Sequence, residues 1–265
     1  MGIPPLLHRY CKVCDYTARV FTHDELYFAS PTAFNDPFDC AFRIWCEAAS
    51  DGDLLSQIAS MTAYKAARLQ HPAWTDEQCM EAAERVGGKI GKEYSEEALR
   101  QLSKSFSREY NDKAGILCLT KSPDEILMWS HYADLHRGVC LEFRSDVPNS
   151  IFSKAQLVIY RDSLPHLALS KLVRDPEYRN ATEWILTKWS SWSYETEWRI
   201  LDFEHGPGVR TFQPECLTAV TLGCRVTEQS RAQVLDWVQH HPTKIEVRQA
   251  NRSSAAFRLD ISPVT

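Results

Sequence analysis

Two carboxylates one residue apart, Glu195 and Glu197, stand in the aromatic stretch Trp192-Ser193-Tyr194-Glu195-Thr196-Glu197-Trp198-Arg199-Ile200. In a strand opening here, alternation puts both on one face, so both can point into one cleft. Like charges crowded among Trp and Tyr are costly to desolvate unless a cation, an electrophile or a sugar hydroxyl answers them. The same residues also suit an exposed strand end, with the glutamates solvated or paired with Lys188 and Arg199. On the sequence alone both readings stand.

A second constellation, Asp36 and Asp39 with His131, Asp134 and His136, carries the residue types of a metal-dependent hydrolase or nuclease. His131 and Asp134 share a face of a presumed helix, but His136, five residues from His131, does not. Bracing of the Asn35-Asp36-Pro37 turn is the plainer role for the acids. Cys11 and Cys14, with His8 and His23 nearby, make half of a zinc spacing and lack a second pair. Local packing is expected there, and no metal. Neither a glycine-rich phosphate loop nor a Gly-x-Ser-x-Gly elbow occurs.

The elements that must position these residues are read from pattern. Leu6, Leu7, Tyr10 and Val13 open the chain, Leu26 to Ala29 forms a second apolar block, and Ser30 to Asp39 is a rigid turn with two prolines. Leu54, Ile58, Met61 and Leu69, then Leu99, Leu102, Phe106 and Tyr110 after Ser95, predict a helical insert over about 50–113, broken at Gly87-Gly88 and Gly91. Ile116 to Thr120 predicts a strand, and Ser122-Pro123-Asp124-Glu125 a capping box opening a helix through Tyr132. Val139 to Phe143 and Leu157 to Tyr160 predict strands, 165–192 a helix, and Glu195 onward the strand of the acidic pair. A strand at Leu217 to Leu222, a helix from Thr227 to Pro242, and a hairpin of Lys244–Val247 with Phe257–Ile261 complete an accessory unit over about 210–265. The expectation is one α+β domain spanning 1–265.

The 265 residues are 44% hydrophobic and 25% charged, with a net charge of −5, the balance of an ordinary globular chain. That sign argues against a nucleic-acid binder working by overall charge, though not against a local basic groove. No apolar run approaches a bilayer's thickness. Nine cysteines, odd in number and mostly within apolar runs, suit free thiols in a reducing compartment. A cytoplasmic protein without membrane partners is expected.

Leu26–Pro31 with Phe34–Asp39, then Met128–Ala133 with His136 and Gly138–Phe143, then Trp192, Tyr194-Glu195 and Glu197-Trp198-Arg199, together resemble a bacterial family of unknown function. A weaker likeness is to ADP-ribosyltransferases. One class of these has an Arg on an early strand, Ser-Thr-Ser closing a middle strand and Glu-x-Glu opening a late one, all bordering an NAD cleft. Arg9, the run Leu119-Thr120-Lys121-Ser122 and Glu195-Thr196-Glu197 follow that order, with Lys121 where the class shows Thr. In the other large class the triad is His, Tyr and Glu, for which His8, Tyr132 and Glu197 are available.

That resemblance implies a split, largely antiparallel sheet and NAD as substrate. It implies Glu197 on the ribose 2′-hydroxyl as positive charge develops, Glu195 orienting or deprotonating the acceptor, and Tyr132 beside them. His8, Arg9 or Tyr10 from the first strand would hold the dinucleotide, with Thr120 and Ser122 from the middle strand and Trp192, Tyr194 or Tyr132 stacking on nicotinamide. The acceptor would be a nucleic acid or a protein, and the role that of a bacterial toxin or phage-defence effector with an antitoxin or immunity partner. Arg161, Lys171, Arg174, Arg179 and Lys188, with Trp184, Trp189 and Trp192, could line a groove for nucleic acid or NAD phosphates, although tryptophans of this kind more often belong to a core. The nuclease centred on Asp36, His131 and His136, and a catalytically inactive binding module of the same fold, are the alternatives.

Overall fold

The computed structural model describes residues 2–45, 51–90, 96–168 and 182–264. In chain order the strands are β1 (Leu6–Cys11), β2 (Glu25–Phe28), β3 (Arg43–Trp45), β4 (Gly115–Thr120), β5 (Val139–Arg144), β6 (Gln156–Leu157), β7 (Ile159–Arg161) and β8 (His166–Ala168). There follow β9 (Thr187–Trp189), β10 (Glu197–Asp202), β11 (Gly208–Thr211), β12 (Leu217–Leu222), β13 (Glu246–Arg252) and β14 (Leu259–Pro263). The helices are α1 (Asp15–Thr22), α2 (Asp51–Gln70), α3 (Asp76–Ile90), α4 (Glu96–Lys113), α5 (Ile126–Tyr132), α6 (Thr182–Ile185) and α7 (Glu228–His240).

The chain divides into two compact units, one of Met1–Asp39, Asn111–Asp162 and Lys188–Thr265, the other of Cys40–Tyr110 and Ser163–Thr187. The first unit is built on one mixed sheet in the order β14-β13-β12-β5-β1-β4-β10-β6, antiparallel except between β12 and β13. Period-two alternation sorts its side chains. Leu7, Leu119, Leu141, Phe143, Trp198 and Ile200 are buried on one face, with Val20 and Phe21 of α1 and Val234 and Trp237 of α7 in the same cluster. On the other face Tyr10 packs edge-on against Trp129 of α5, ring centroids 5.2 Å apart, with Met128, Cys140 and Ala250.

Between β1 and β4 the sheet forks. Those two strands share a single paired position, His8 opposite Thr120, whereas β1 runs six paired residues with β5 and β4 six with β10. The backbone of β4 is satisfied by other means beyond that pair. Arg9 Nη1 donates to the Cys118 carbonyl (3.0 Å), and Ala29 exchanges both backbone bonds with Ile116 (2.9 and 2.8 Å).

In the second unit α2 and α3 pack as a pair, β3 runs parallel to β8, and Trp184 lies against Phe42 and Tyr110 at 4.5 and 5.1 Å. Several sequence expectations change. Residues 165–192 are not one helix: the described parts are β8, the single turn α6, β9 and a 3₁₀ segment, Ser190–Glu195, while 169–181, with Lys171, Arg174 and Arg179, fall outside the described residues. α3 runs through Gly87 and Gly88, and Ser95 and Gly91 lie outside the described residues. The capping box at Ser122 does not form. α5 starts at Ile126 with Glu125 as its cap, accepting from Leu127 N at 3.2 Å, because Ser122 is committed elsewhere. Its carbonyl accepts from Tyr10 Oη (2.8 Å) and its hydroxyl lies 3.3 Å from Thr196 Oγ1. No helix among the described residues is long and apolar enough to cross a membrane.

Candidate functional site

The acidic pair does not share one strand. Glu195 ends the 3₁₀ segment, Thr196 turns left-handed (φ 43°), and β10 begins only at Glu197, so alternation does not explain their convergence. Anchors do. Thr120 Oγ1 donates to the Glu195 carbonyl (2.6 Å) and Tyr160 Oη accepts from Glu197 N (2.8 Å), pinning the kink against β4. The two side chains then meet on Lys188 of β9, whose Nζ lies 2.5 Å from Glu195 Oε2 and 2.9 Å from Glu197 Oε2.

Around this bridge lies a buried charge cluster. Arg199, two residues along β10 on the face of Glu197, donates from Nε to Glu197 Oε1 (2.7 Å) and from Nη2 to Asp39 Oδ2 (2.7 Å). Tyr132 Oη donates to Glu195 Oε1 (2.7 Å). Among the ion-pairing groups, three carboxyl groups (Asp39, Glu195, Glu197) face two cations (Lys188, Arg199). Burying so many charges is tolerable only because each has opposite partners at hydrogen-bond distance.

Their environments separate the two glutamates. Burial works against ionisation of Glu197, but Arg199 and then Lys188 hold its carboxyl well below the ordinary value. For Glu195 burial wins and raises the carboxyl, Glu197 adding to the rise while Lys188 and Tyr132 oppose it. Such a divergence is what separates an ionised group from a proton-transferring one.

The cluster opens into a cavity of about 300 Å³ at the fork, lined by His8, Arg9 and Tyr10 of β1, Cys118 and Thr120 of β4, Asn35, Met128, Tyr132, Lys188, Glu195 and Glu197. His8, Thr120 and Glu197 form one row across three strands. His8 Nε2 lies 3.3 Å from Glu142 Oε2, and its Nδ1 is buried without a hydrogen-bond partner among the described residues. By alternation Arg9 belongs to the opposite face, and its guanidinium spans the fork. Ser122, Trp192 and Tyr194 are not part of the lining: Trp192 lies over Lys188 Nζ at 5.1 Å, and Tyr194 packs beside it.

The other constellation is dispersed. Asp36 accepts from Phe38 N within its own turn (2.8 Å), His136 bonds Ser130 Oγ (2.9 Å), and His131 lies against Trp192. Cys11 and Cys14 are free thiols. No group of three His, Cys, Asp or Glu side chains suited to a metal occurs among the described residues. The residues that complete the site beyond those assigned a role from the sequence are Lys188, Arg199 and Asp39. The first two are visible in the sequence as neighbours of the acidic pair. Asp39 stands in the sequence as the last residue of the Phe34–Asp39 block, but its contact with Arg199, across 160 positions, has no local sign.

No curated protein and no solved structure shows a significant match to the chain. Residues 128–200 are matched by the family model described as Protein of unknown function (DUF2971), a segment that holds Tyr132, Lys188, Glu195, Glu197 and Arg199 and leaves His8 and Asp39 outside it.

Proposed function

We propose that the fork cavity takes the nicotinamide-ribose half of NAD and that the protein transfers ADP-ribose to a macromolecular acceptor. One observation carries this reading: two carboxylates with opposite proton affinities, bridged by Lys188, face one cleft where β1, β4 and β10 adjoin. The likeness to ADP-ribosyltransferases leads to that adjacency of early, middle and late strands around a cleft.

The chemistry follows from the environments. As the bond between ribose C1′ and the nicotinamide nitrogen breaks, positive charge grows on the sugar. The fixed negative charge of Glu197 stabilises it in a site largely screened from water. Glu195, with its raised proton affinity, takes the proton from the incoming acceptor nucleophile. Tyr132 and Lys188 hold its carboxylate in place, and the vacant Nδ1 of His8 is offered to a hydroxyl of the ligand. Free thiols and consumption of NAD fit a cytoplasmic toxin or phage-defence effector.

The test is nicotinamide release on mixing with NAD, with binding followed by calorimetry. Wild-type protein is expected to bind and turn over, and Glu197→Gln to lose about 100-fold or more in rate. Absence of any binding heat, or undiminished turnover by Glu197→Gln, overturns the reading.

A further inference from the structure

A second cavity in the same unit, about 850 Å³, is lined by His136, Cys224, Arg225, Arg252 and the turn from Ser253 to Leu259. Its chemistry runs against the chain's net charge of −5. The side chains of Arg225 and Arg252 make no ion pair among the described residues, while Arg258 is paired with Asp260 at 2.9 Å. Phe257, on the turn between β13 and β14, is fully exposed at 104%. His136 has a buried Nδ1 without a partner among the described residues. The wall is held by backbone: His136 is left-handed (φ 68°), its carbonyl accepts from Arg225 N (3.0 Å), and a Cβ on Gly223 would stand 2.2 Å from that oxygen.

We propose that this cavity binds a nucleotide unit, its phosphate on Arg225 and Arg252 and its base on Phe257, either as a free mononucleotide or within a single strand of nucleic acid. Guanidinium forks match phosphate oxygens in a bidentate way, and unpaired ones gain most from an anion. The hydroxyls of Ser253 and Ser254 add donors at the same turn. An exposed ring beside a basic concavity is the arrangement that stacks bases without reading their sequence. The volume lies within the range of small-ligand sites. None of these observations involves the fork.

The experiment is fluorescence anisotropy on the full chain with labelled ten-residue single-stranded RNA and DNA, and AMP as competitor. Binding is expected, with affinity falling steeply as salt rises. Arg225→Ala and Arg252→Ala should each weaken it about tenfold or more, and losing a phosphate contact should lower the salt slope by about 0.7. Phe257→Ala should weaken it about fivefold or more. That ring is fully exposed, so its removal cannot act through the fold. Displacement by AMP identifies a free nucleotide as ligand, and binding of the strands that AMP does not displace identifies the polymer. No binding of any probe by wild-type protein, or wild-type affinity in all three variants, overturns the proposal. The readout needs no turnover, so its result stands whichever way the fork reading falls.

Discussion

His8 and Glu197 stand opposite the same residue: Thr120 of β4 pairs with His8 on one side and with Glu197 on the other. Glu142 of β5 extends the row beyond His8. Its carboxylate also accepts from Arg248 Nη1 (2.7 Å) and Thr218 Oγ1 (2.8 Å), so the imidazole is oriented by a carboxylate that is itself braced. Three strands far apart in sequence thus deliver a histidine, a threonine and a glutamate to one face of the fork.

Glu142 makes that row sensitive to acid. Burial favours its neutral form, but hydrogen bonds from His8, Arg248 and Thr218 prevail and bring the carboxyl down to about 2. A carboxyl depressed in the folded state contributes stability above its ordinary value of 4.5, and that contribution is lost as pH falls toward about 2. Urea denaturation at a series of pH values should show wild-type stability dropping through this window. Glu142→Gln should be less stable at neutral pH and flatter in acid; equal slopes would remove the carboxylate from the account.

In the proposed reaction, Tyr132 is one of the groups that tune the pH at which Glu195 acts as a base. Its hydroxyl donates to the carboxylate at 2.7 Å and so favours the ionised form, against burial that favours the neutral one. Tyr132→Phe removes that support and pushes the carboxyl higher. The acid limb of nicotinamide release should therefore move to higher pH in Tyr132→Phe, with turnover recovering on the alkaline side. A profile that keeps its limb and only falls in height would assign Tyr132 a packing role.

Arg199 is the fully buried cation on which Asp39 and Glu197 both rest. Arg199→Ala leaves two buried carboxylates short of a partner and should cost about 3–5 kcal/mol in unfolding free energy. Lys at this position is not a remedy, because a point charge cannot fork between two carboxylates as a guanidinium does. Chemical denaturation of Arg199→Ala and Arg199→Lys checks both statements. A loss below about 1 kcal/mol in the alanine variant would mean that water already enters the cluster.

What the sequence made legible was what local pattern controls. β4, β5 and β12 are apolar runs with clear ends, and α7 has its Thr227 cap, accepting from Ser230 N at 3.1 Å, and ends before Pro242. The illegible parts are where a tertiary partner outbids local preference. Ser122 has a capping sequence, but its groups serve Tyr10 and Thr196. α1 is too short for its pattern to stand out. The stretch that holds Lys188 reads as helical, yet around Lys188 it pairs as a strand with β7. The acidic pair converges as the motif suggests, but through a left-handed kink at Thr196 and a shared lysine rather than through strand alternation.

Gly138 couples the two walls of the fork cavity. It closes the turn after α5 through its N–H to the Ala133 carbonyl (2.7 Å), and a Cβ there would stand 2.1 Å from the Cys11 carbonyl at the end of β1. That neighbour is backbone of a strand paired along its length with β5, so it cannot yield without moving His8 and Tyr10 as well. The turn must then move instead, taking α5 and Tyr132 away from Glu195. Gly138→Ala should lose about 1–3 kcal/mol, read as a lowered Tm, and should lose nicotinamide release by more than its stability loss explains at assay temperature. Gly2→Ala, where a Cβ meets nothing within 4 Å, is the matched control and should stay within about 0.5 kcal/mol of wild type. Indistinguishable melting of the two variants would show that α5 and β1 are not tied at this glycine.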